Sequence, residues 1–178
     1  MANRLISLIF AICIAMALLL LAILFADQPP GAGGTPHPTI AGMLVGGDGL
    51  GRLATIGTYA FMFQGFLLLL ICCLCALGVS AKYRSTTFYG YLAACYGFMF
   101  LVWWQMYFGH QEYLITGQTS YFLGFPVATA WQMYGTWLCA IPLICIYVFG
   151  FDKYIYTEQD DAQFKALLAE KEASSGIS

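Results

Sequence analysis

This sequence contains few charged side chains. Only 9% of the residues are Asp, Glu, Lys or Arg, whereas 61% are hydrophobic. Four long stretches carry no ionised side chain: residues 5–26, 53–81, 85–109 and 126–151. About 20 apolar residues are enough for a helix to cross the hydrocarbon core of a bilayer, so each stretch is long enough to span it. The sequence therefore predicts an integral membrane protein.

The missing charges also exclude several kinds of function. A chain without Asp, Glu, Lys, Arg or His inside its spans lacks the usual groups of an ion path, a proton relay or a charged-substrate site. A net charge of −2 provides no basic surface for a nucleic acid. No nucleophile–base pair, acid pair or metal-binding helix motif lies within a span. We therefore predict no catalytic residues and a protein that is not an enzyme on its own.

The seven cysteines all fall within the predicted spans, which does not fit a disulfide framework. Cys72, Cys73 and Cys75 are close enough in sequence for a metal site, but both histidines, His37 and His110, are expected on the outer side. We interpret the cysteines as small packing residues and predict no metal and no cofactor. Haem or copper binding through the two histidines is the alternative.

The basic residues orient the chain in the membrane. With a cytoplasmic N-terminus, all seven Lys and Arg residues except Arg52 lie on the cytoplasmic side, as the positive-inside rule requires. We predict an all-α bundle of four transmembrane helices over residues 1–151, with both termini cytoplasmic. Residues 27–52, rich in Pro and Gly, and residues 110–125 form the outer loops.

Residues 152–178 are expected to form a cytoplasmic tail with a short amphipathic helix over about 158–173. Thr157 and Asp160 have the spacing of a capping box, in which a hydroxyl and an acid satisfy the first backbone amides of a helix. The apolar residues Phe164, Leu167 and Leu168 would share one face of that helix, because positions three and four apart are neighbours. We predict that this face docks on a partner.

Small and polar residues mark two further helix faces. Helices in lipid associate through close contact at small residues and through hydrogen bonds between helices. The third span has Gly90, Ala94 and Gly97 on one face, and the fourth has Ala128, Gln132, Gly135 and Cys139. We interpret both faces as packing surfaces, within the chain or with a partner protein. The alternative is that the glutamines line a path for a polar substrate.

The last third of the chain resembles a known family. Gly124-Phe125-Pro126 precedes a helix containing Trp131 and Pro142-Leu143. Phe151 follows, and then an acidic tail that runs Ile155-Tyr156-Thr157-Glu158-Gln159-Asp160-Asp161-Ala162. Residues 124–162 are thereby similar to the final span and tail of the small membrane proteins that accompany sodium:solute symporters. Those companions have about two spans rather than four, and the resemblance carries over no binding residue.

The resemblance implies an accessory, non-catalytic subunit that packs against a larger multi-span membrane protein, a sodium-coupled secondary transporter of the bacterial inner membrane. The alternative from another class is a structural subunit of a respiratory or photosynthetic electron-transfer complex. Aromatic residues make up 17% of the chain and would then pack against cofactor-bearing subunits.

Overall fold

The computed structural model describes residues 2–31, 33–47 and 49–175, which are mostly helical. The helices are α1 (Ala2–Leu24), α2 (Gly49–Gly78), α3 (Thr86–Thr116), α4 (Val127–Ala130), α5 (Thr136–Phe149), α6 (Phe151–Tyr154) and α7 (Glu158–Ser175). A 3-10 turn (Ala81–Tyr83) connects α2 with α3, and a π-helical turn (Trp131–Gly135) connects α4 with α5.

Two short antiparallel strand pairs lie in the connections. Strand β1 (Thr35–Pro36) pairs with β2 (Leu44–Val45), and β3 (Tyr121–Phe122) pairs with β4 (Phe125–Pro126). Leu123 and Gly124 turn the second hairpin with positive φ angles of 47° and 86°. Such two-residue turns match the twist of paired strands. The second hairpin leads directly into α4.

Among the described residues, three helical segments are long and apolar enough to cross a membrane: Arg4–Leu24, Gly49–Gly78 and Val127–Phe149. They are what an integral membrane protein requires. Helix α3 has 31 residues against 30 for α2, but it is not one of the three. Its many Tyr, Trp, Gln and Gly residues lower its mean hydropathy.

Two helix ends differ from the sequence-based bounds. Helix α3 continues past residue 109 to Thr116, so His110 is helical and the predicted loop over 110–125 begins later. The helix ends where Gly117 adopts a left-handed conformation, with φ 66°, and donates its N–H to the carbonyl of Tyr113. Helix α2 begins at Gly49, ahead of the predicted residue 53. The helix predicted after Thr157 is present as α7.

One apolar cluster gathers the ends of four helices. Leu5 of α1, Val79 after α2, Phe88 of α3 and Tyr154 of α6 are buried together, with Val79 and Phe88 at 0% exposure. The rings of Phe88 and Tyr154 lie 4.8 Å apart. The start of α1 and the short helix α6 that follows α5 therefore lie beside the α2–α3 turn. A second cluster of Cys72, Met99, Val102 and Cys139 joins α2, α3 and α5.

Replacing the fully buried ring is expected to destabilise this end of the bundle. Phe88→Ala should lower the free energy of unfolding by about 3 kcal/mol, because the cavity removes packing contacts that neighbouring helices cannot restore. The measurement is the unfolding midpoint when SDS is added to the protein in mild detergent. Phe98→Ala in the same helix, where the ring is 39% exposed, is the matched control. Equal effects of the two changes would contradict the packing described here.

Candidate functional site

Helix α3 approaches the π-helical turn before α5 at Gly135. A Cβ atom placed on Gly135 would lie 2.9 Å from a methyl carbon of Val102 and 2.9 Å from the Trp131 ring. A Cβ on Gly109 would contact the Cβ of Ala128 at 3.7 Å. The contact of α3 with the α4–α5 segment thus depends on small residues, as helix packing in lipid does.

A π-helical turn interrupts the helix on which the packing face of the fourth span was predicted. The N–H of Thr136 donates to the carbonyl of Trp131, five residues earlier, so one turn contains an extra residue. Gly135 and Cys139 are buried and Ala128 is half-buried, but Gln132 is exposed. The prediction of one shared face assumed an uninterrupted α-helix, and in the structure, where the π-helical turn interrupts that helix, its four residues differ in burial.

The small-residue face of α3 points away from the rest of the chain. Gly90, Ala94 and Gly97 are all exposed, and a Cβ on Gly90 or Gly97 would meet no atom of the described residues within 4 Å. The opposite face of α3 supplies the buried residues Phe88, Leu92, Cys95, Met99 and Val102. The structure thus separates the two predicted faces: the one on α3 is open, and that of the fourth span is largely internal.

Two further glycines were missed by the sequence reasoning. A Cβ on Gly65 of α2 would lie 3.2 Å from the Phe100 ring, and one on Gly57 would lie 2.8 Å from the Tyr107 hydroxyl oxygen. Their spacing of eight residues along one helix places them about 80° apart around its axis, within one broad side of α2. They allow α2 to approach α3 closely.

Aromatic rings fill the α2–α3 contact at the end away from the α2–α3 turn. The Phe61 ring is surrounded by rings of α3 with centroids 4.8–6.0 Å away: Phe100, Trp103, Trp104, Tyr107 and Phe108. The indole N–H of Trp103 also donates to the carbonyl oxygen of Phe61 at 3.1 Å. These aromatic residues therefore hold two helices together.

Asp160 links α7 to the α2–α3 turn. Its carboxylate accepts hydrogen bonds from the Lys82 ammonium at 2.6 Å and from the Tyr83 hydroxyl at 2.7 Å. It also accepts from the N–H of Thr157 at 3.1 Å, while the Thr157 hydroxyl accepts from the N–H of Asp160 at 3.3 Å. The predicted capping box is confirmed, and it carries two additional partners from the turn.

These contacts shift both charged groups toward their ionised forms. The hydrogen bond from Lys82, followed by those from Tyr83 and Thr157, holds the pKa of Asp160 well below its ordinary value. The hydrogen bond to Asp160 raises the pKa of Lys82 above its ordinary value. Arg84 fixes the same turn by donating to the carbonyls of Val79 and Leu77 at 2.7 and 3.0 Å.

The apolar residues of α7 are exposed. Phe164, Leu167 and Leu168 have 54%, 65% and 42% of their surface accessible, and they lie along one side of the helix beyond Asp160.

The residues considered for metal or cofactor binding do not converge in the part of the chain described. That part contains no group of three His, Cys, Asp or Glu side chains that could hold a metal ion, and its cysteines are free thiols. His37 accepts hydrogen bonds through Nδ1 from the backbone amides of Thr39 and Ile40, and His110 is exposed on α3.

Removing the charge of Asp160 should release the start of α7. Asp160→Asn is expected to accelerate tryptic cleavage after Lys165 several-fold at neutral pH, because the capping box and the ion pair are weakened together. Glu170→Gln, a change of exposed charge farther along α7, should leave the rate unchanged. Equal cleavage rates for the two variants would show that the contact does not hold the helix.

The stabilisation that the Asp160 contacts give to the start of α7 should decrease at acidic pH. A carboxyl group whose pKa is lowered on folding stabilises above its unfolded pKa, about 3.9, and this stabilisation is lost as the pH falls through the folded pKa. Amide-exchange protection of residues 158–162, corrected for intrinsic exchange, should be constant from about pH 5 to 9 and decline below about pH 4. A decline centred near neutral pH would contradict this assignment.

No protein-family model, curated protein or solved structure matches this chain. The likeness to symporter companions therefore stays a prediction from residues 124–162. What supports a function is the arrangement of the chain's own side chains: an internal seam at Gly135, an open face on α3 and exposed apolar residues on α7.

Proposed function

We propose that the chain is a non-catalytic accessory subunit that packs against a larger multi-span membrane protein. The open face of α3 is the main contact in this proposal. The observation that carries it is the pair Gly90 and Gly97, two helical glycines that no other part of the described chain approaches.

The proposal requires α3 to cross the membrane as a fourth span. Helix α3 packs against α2 on one side and against α5 on another, and both of those lie in segments apolar enough to cross. Between Arg84 and Glu112 it carries no Asp, Glu, Lys or Arg. A helix packed along two membrane-crossing helices and free of charge can cross with them. The basic residues then place both termini in the cytoplasm.

The open glycines support a protein neighbour rather than lipid. Glycine within a helix costs about 0.5–1 kcal/mol relative to alanine, and this is offset where glycine permits close packing. Gly57, Gly65 and Gly135 have such packing inside the chain, but Gly90 and Gly97 do not. A helix of a partner protein lying against them would provide the missing contact, with Ala94 between them.

The tail offers a second contact in this proposal. Asp160 holds the start of α7 against the α2–α3 turn, which fixes where the exposed residues Phe164, Leu167 and Leu168 are presented. On the cytoplasmic side these three side chains would dock on a soluble loop of the same partner.

For the partner we propose a sodium-coupled solute symporter of the bacterial inner membrane, on the likeness of residues 124–162 to symporter companions. The ring cluster around Phe61 favours a second candidate, a structural subunit of an electron-transfer complex, in which aromatic residues pack beside cofactor-bearing subunits.

Purification from native membranes tests these two candidates. The tagged chain, extracted in mild detergent, should bring down a large secondary transporter identified by mass spectrometry, in a complex without visible absorption. A coloured complex containing cytochromes or pigment proteins would replace the symporter with the electron-transfer partner. Recovery of the chain alone, also after cross-linking in intact membranes, would contradict an accessory role.

A pair of glycine substitutions tests the open face. Gly97→Leu should reduce recovery of the partner at least tenfold while leaving the stability of the isolated chain unchanged, because the added side chain enters open space in the chain but blocks a partner helix. Gly135→Leu should instead destabilise the chain itself, because it collides with Val102 and Trp131.

The control for these variants is Ala17→Leu, which adds a side chain of the same size at an exposed position of α1. It should change neither partner recovery nor stability. Full partner recovery with Gly97→Leu would show that the α3 face faces lipid.

A further inference from the structure

A groove lies on the bundle surface near the α2–α3 turn, between α3 and α5. It has a volume of about 440 Å³, and its wall is formed by Tyr91 on one side and by Pro142, Ile146 and Phe149 on the other. Lys153 and Tyr154 of α6 also line it, together with Cys145 and Gly150. The groove is therefore apolar along the membrane-crossing helix and cationic at the helix end.

Lys153 differs from three other basic residues near this end of the bundle. Lys82 pairs with Asp160, Lys165 pairs with Asp161, and Arg84 donates to backbone carbonyls. Within the described ranges Lys153 forms no ion pair, and its ammonium group lies 5.4 Å from the centre of the Tyr154 ring. The positive charge at the groove is thus not neutralised by a carboxylate of the described chain.

Gly150 allows the backbone turn that places Lys153 at the groove. A Cβ atom on Gly150 would lie 2.6 Å from the Tyr154 ring and would also collide with the carbonyl oxygen of Ile146. Glycine at this position allows α5 to end and α6 to turn, so that Tyr154 packs onto Phe88 while Lys153 reaches the groove.

The length of the groove suits one leaflet of a bilayer. At a rise of 1.5 Å per residue, the distance along α5 from Pro142 to Phe149 is roughly 10 Å, and the turn to Lys153 extends it. One leaflet contributes about 15 Å of the hydrocarbon core. With the orientation that the basic residues predict, this is the cytoplasmic leaflet, where anionic lipids attract Lys and Arg.

We propose that this groove binds a glycerophospholipid, with an acyl chain along Ile146 and Phe149 and an anionic headgroup beside Lys153. Charge complementarity selects the headgroup, and the apolar wall between α3 and α5 holds the chain. The site requires no partner protein, so it can be tested on the isolated full-length chain and can fail independently of the proposed accessory role.

Native mass spectrometry of the full chain in mild detergent measures this binding. The probes are dioleoylphosphatidylglycerol, which is anionic, and dioleoylphosphatidylcholine, which has the same acyl chains and no net charge. The wild-type chain should retain the anionic lipid about fivefold more strongly, the factor expected for one lysine near a headgroup. Lys153→Gln should reduce that retention to the level of the neutral lipid, whereas Lys171→Gln in the exposed part of α7 should not change it.

A competitor without acyl chains tests whether the groove binds the whole lipid or only its headgroup. Glycerol 3-phosphate, which has no acyl chains, should fail to displace bound phosphatidylglycerol at millimolar concentration. Displacement by this competitor, equal retention of both lipids by the wild-type chain, or equal loss with Lys153→Gln and Lys171→Gln would each overturn the proposal. Circular dichroism of both variants confirms that the helices remain folded.

Discussion

Close contact at small residues is the constraint on which this bundle depends. Helices in a bilayer gain little by hiding apolar surface from one another, because lipid tails are as apolar as leucine. They must instead approach closely enough for dispersion forces and hydrogen bonds to act. In this chain the approach occurs where Gly57 and Gly65 of α2 meet α3 and where Gly135 meets Val102. Gly90 and Gly97 are also helical glycines, but no other helix in the described part of the chain packs against them, and from this the proposal of a partner helix follows.

Different interactions stabilise the two ends of the bundle. At the end away from the α2–α3 turn, the rings around Phe61 fill the α2–α3 contact, and the Trp103 indole adds one hydrogen bond to the backbone. At the other end, the α2–α3 turn combines a fully buried Phe88 with the polar contacts of Asp160. The polar contacts fix α7 at one point and leave its apolar residues exposed. Two exposed surfaces thus begin near the α2–α3 turn. One is the open face of α3, and the other is one side of α7.

The sequence predicts the local features well and the long-range ones poorly. The absence of charge locates three helical segments long and apolar enough to cross a membrane, and the Thr157–Asp160 spacing predicts the cap of α7, because both signals are local in the sequence. The partners of Asp160 in the α2–α3 turn are far away in sequence, and no local pattern reveals them. Periodicity placed Gln132 with Gly135, but the extra residue of the π-helical turn separates them. Helical spacing likewise marked Gly97 and Gly135 as packing residues without indicating that Gly135 packs within the described chain and Gly97 does not.

A photo-crosslinking amino acid at position 97, with another at position 17 as the lipid-facing reference, tests the central claim most directly. The account predicts that light applied to intact native membranes joins position 97 to a multi-span membrane protein in a discrete adduct. Position 17 should yield adducts with lipid. Adducts with lipid alone at both positions would contradict the account, because α3 would then face the bilayer and its glycines would have no protein neighbour.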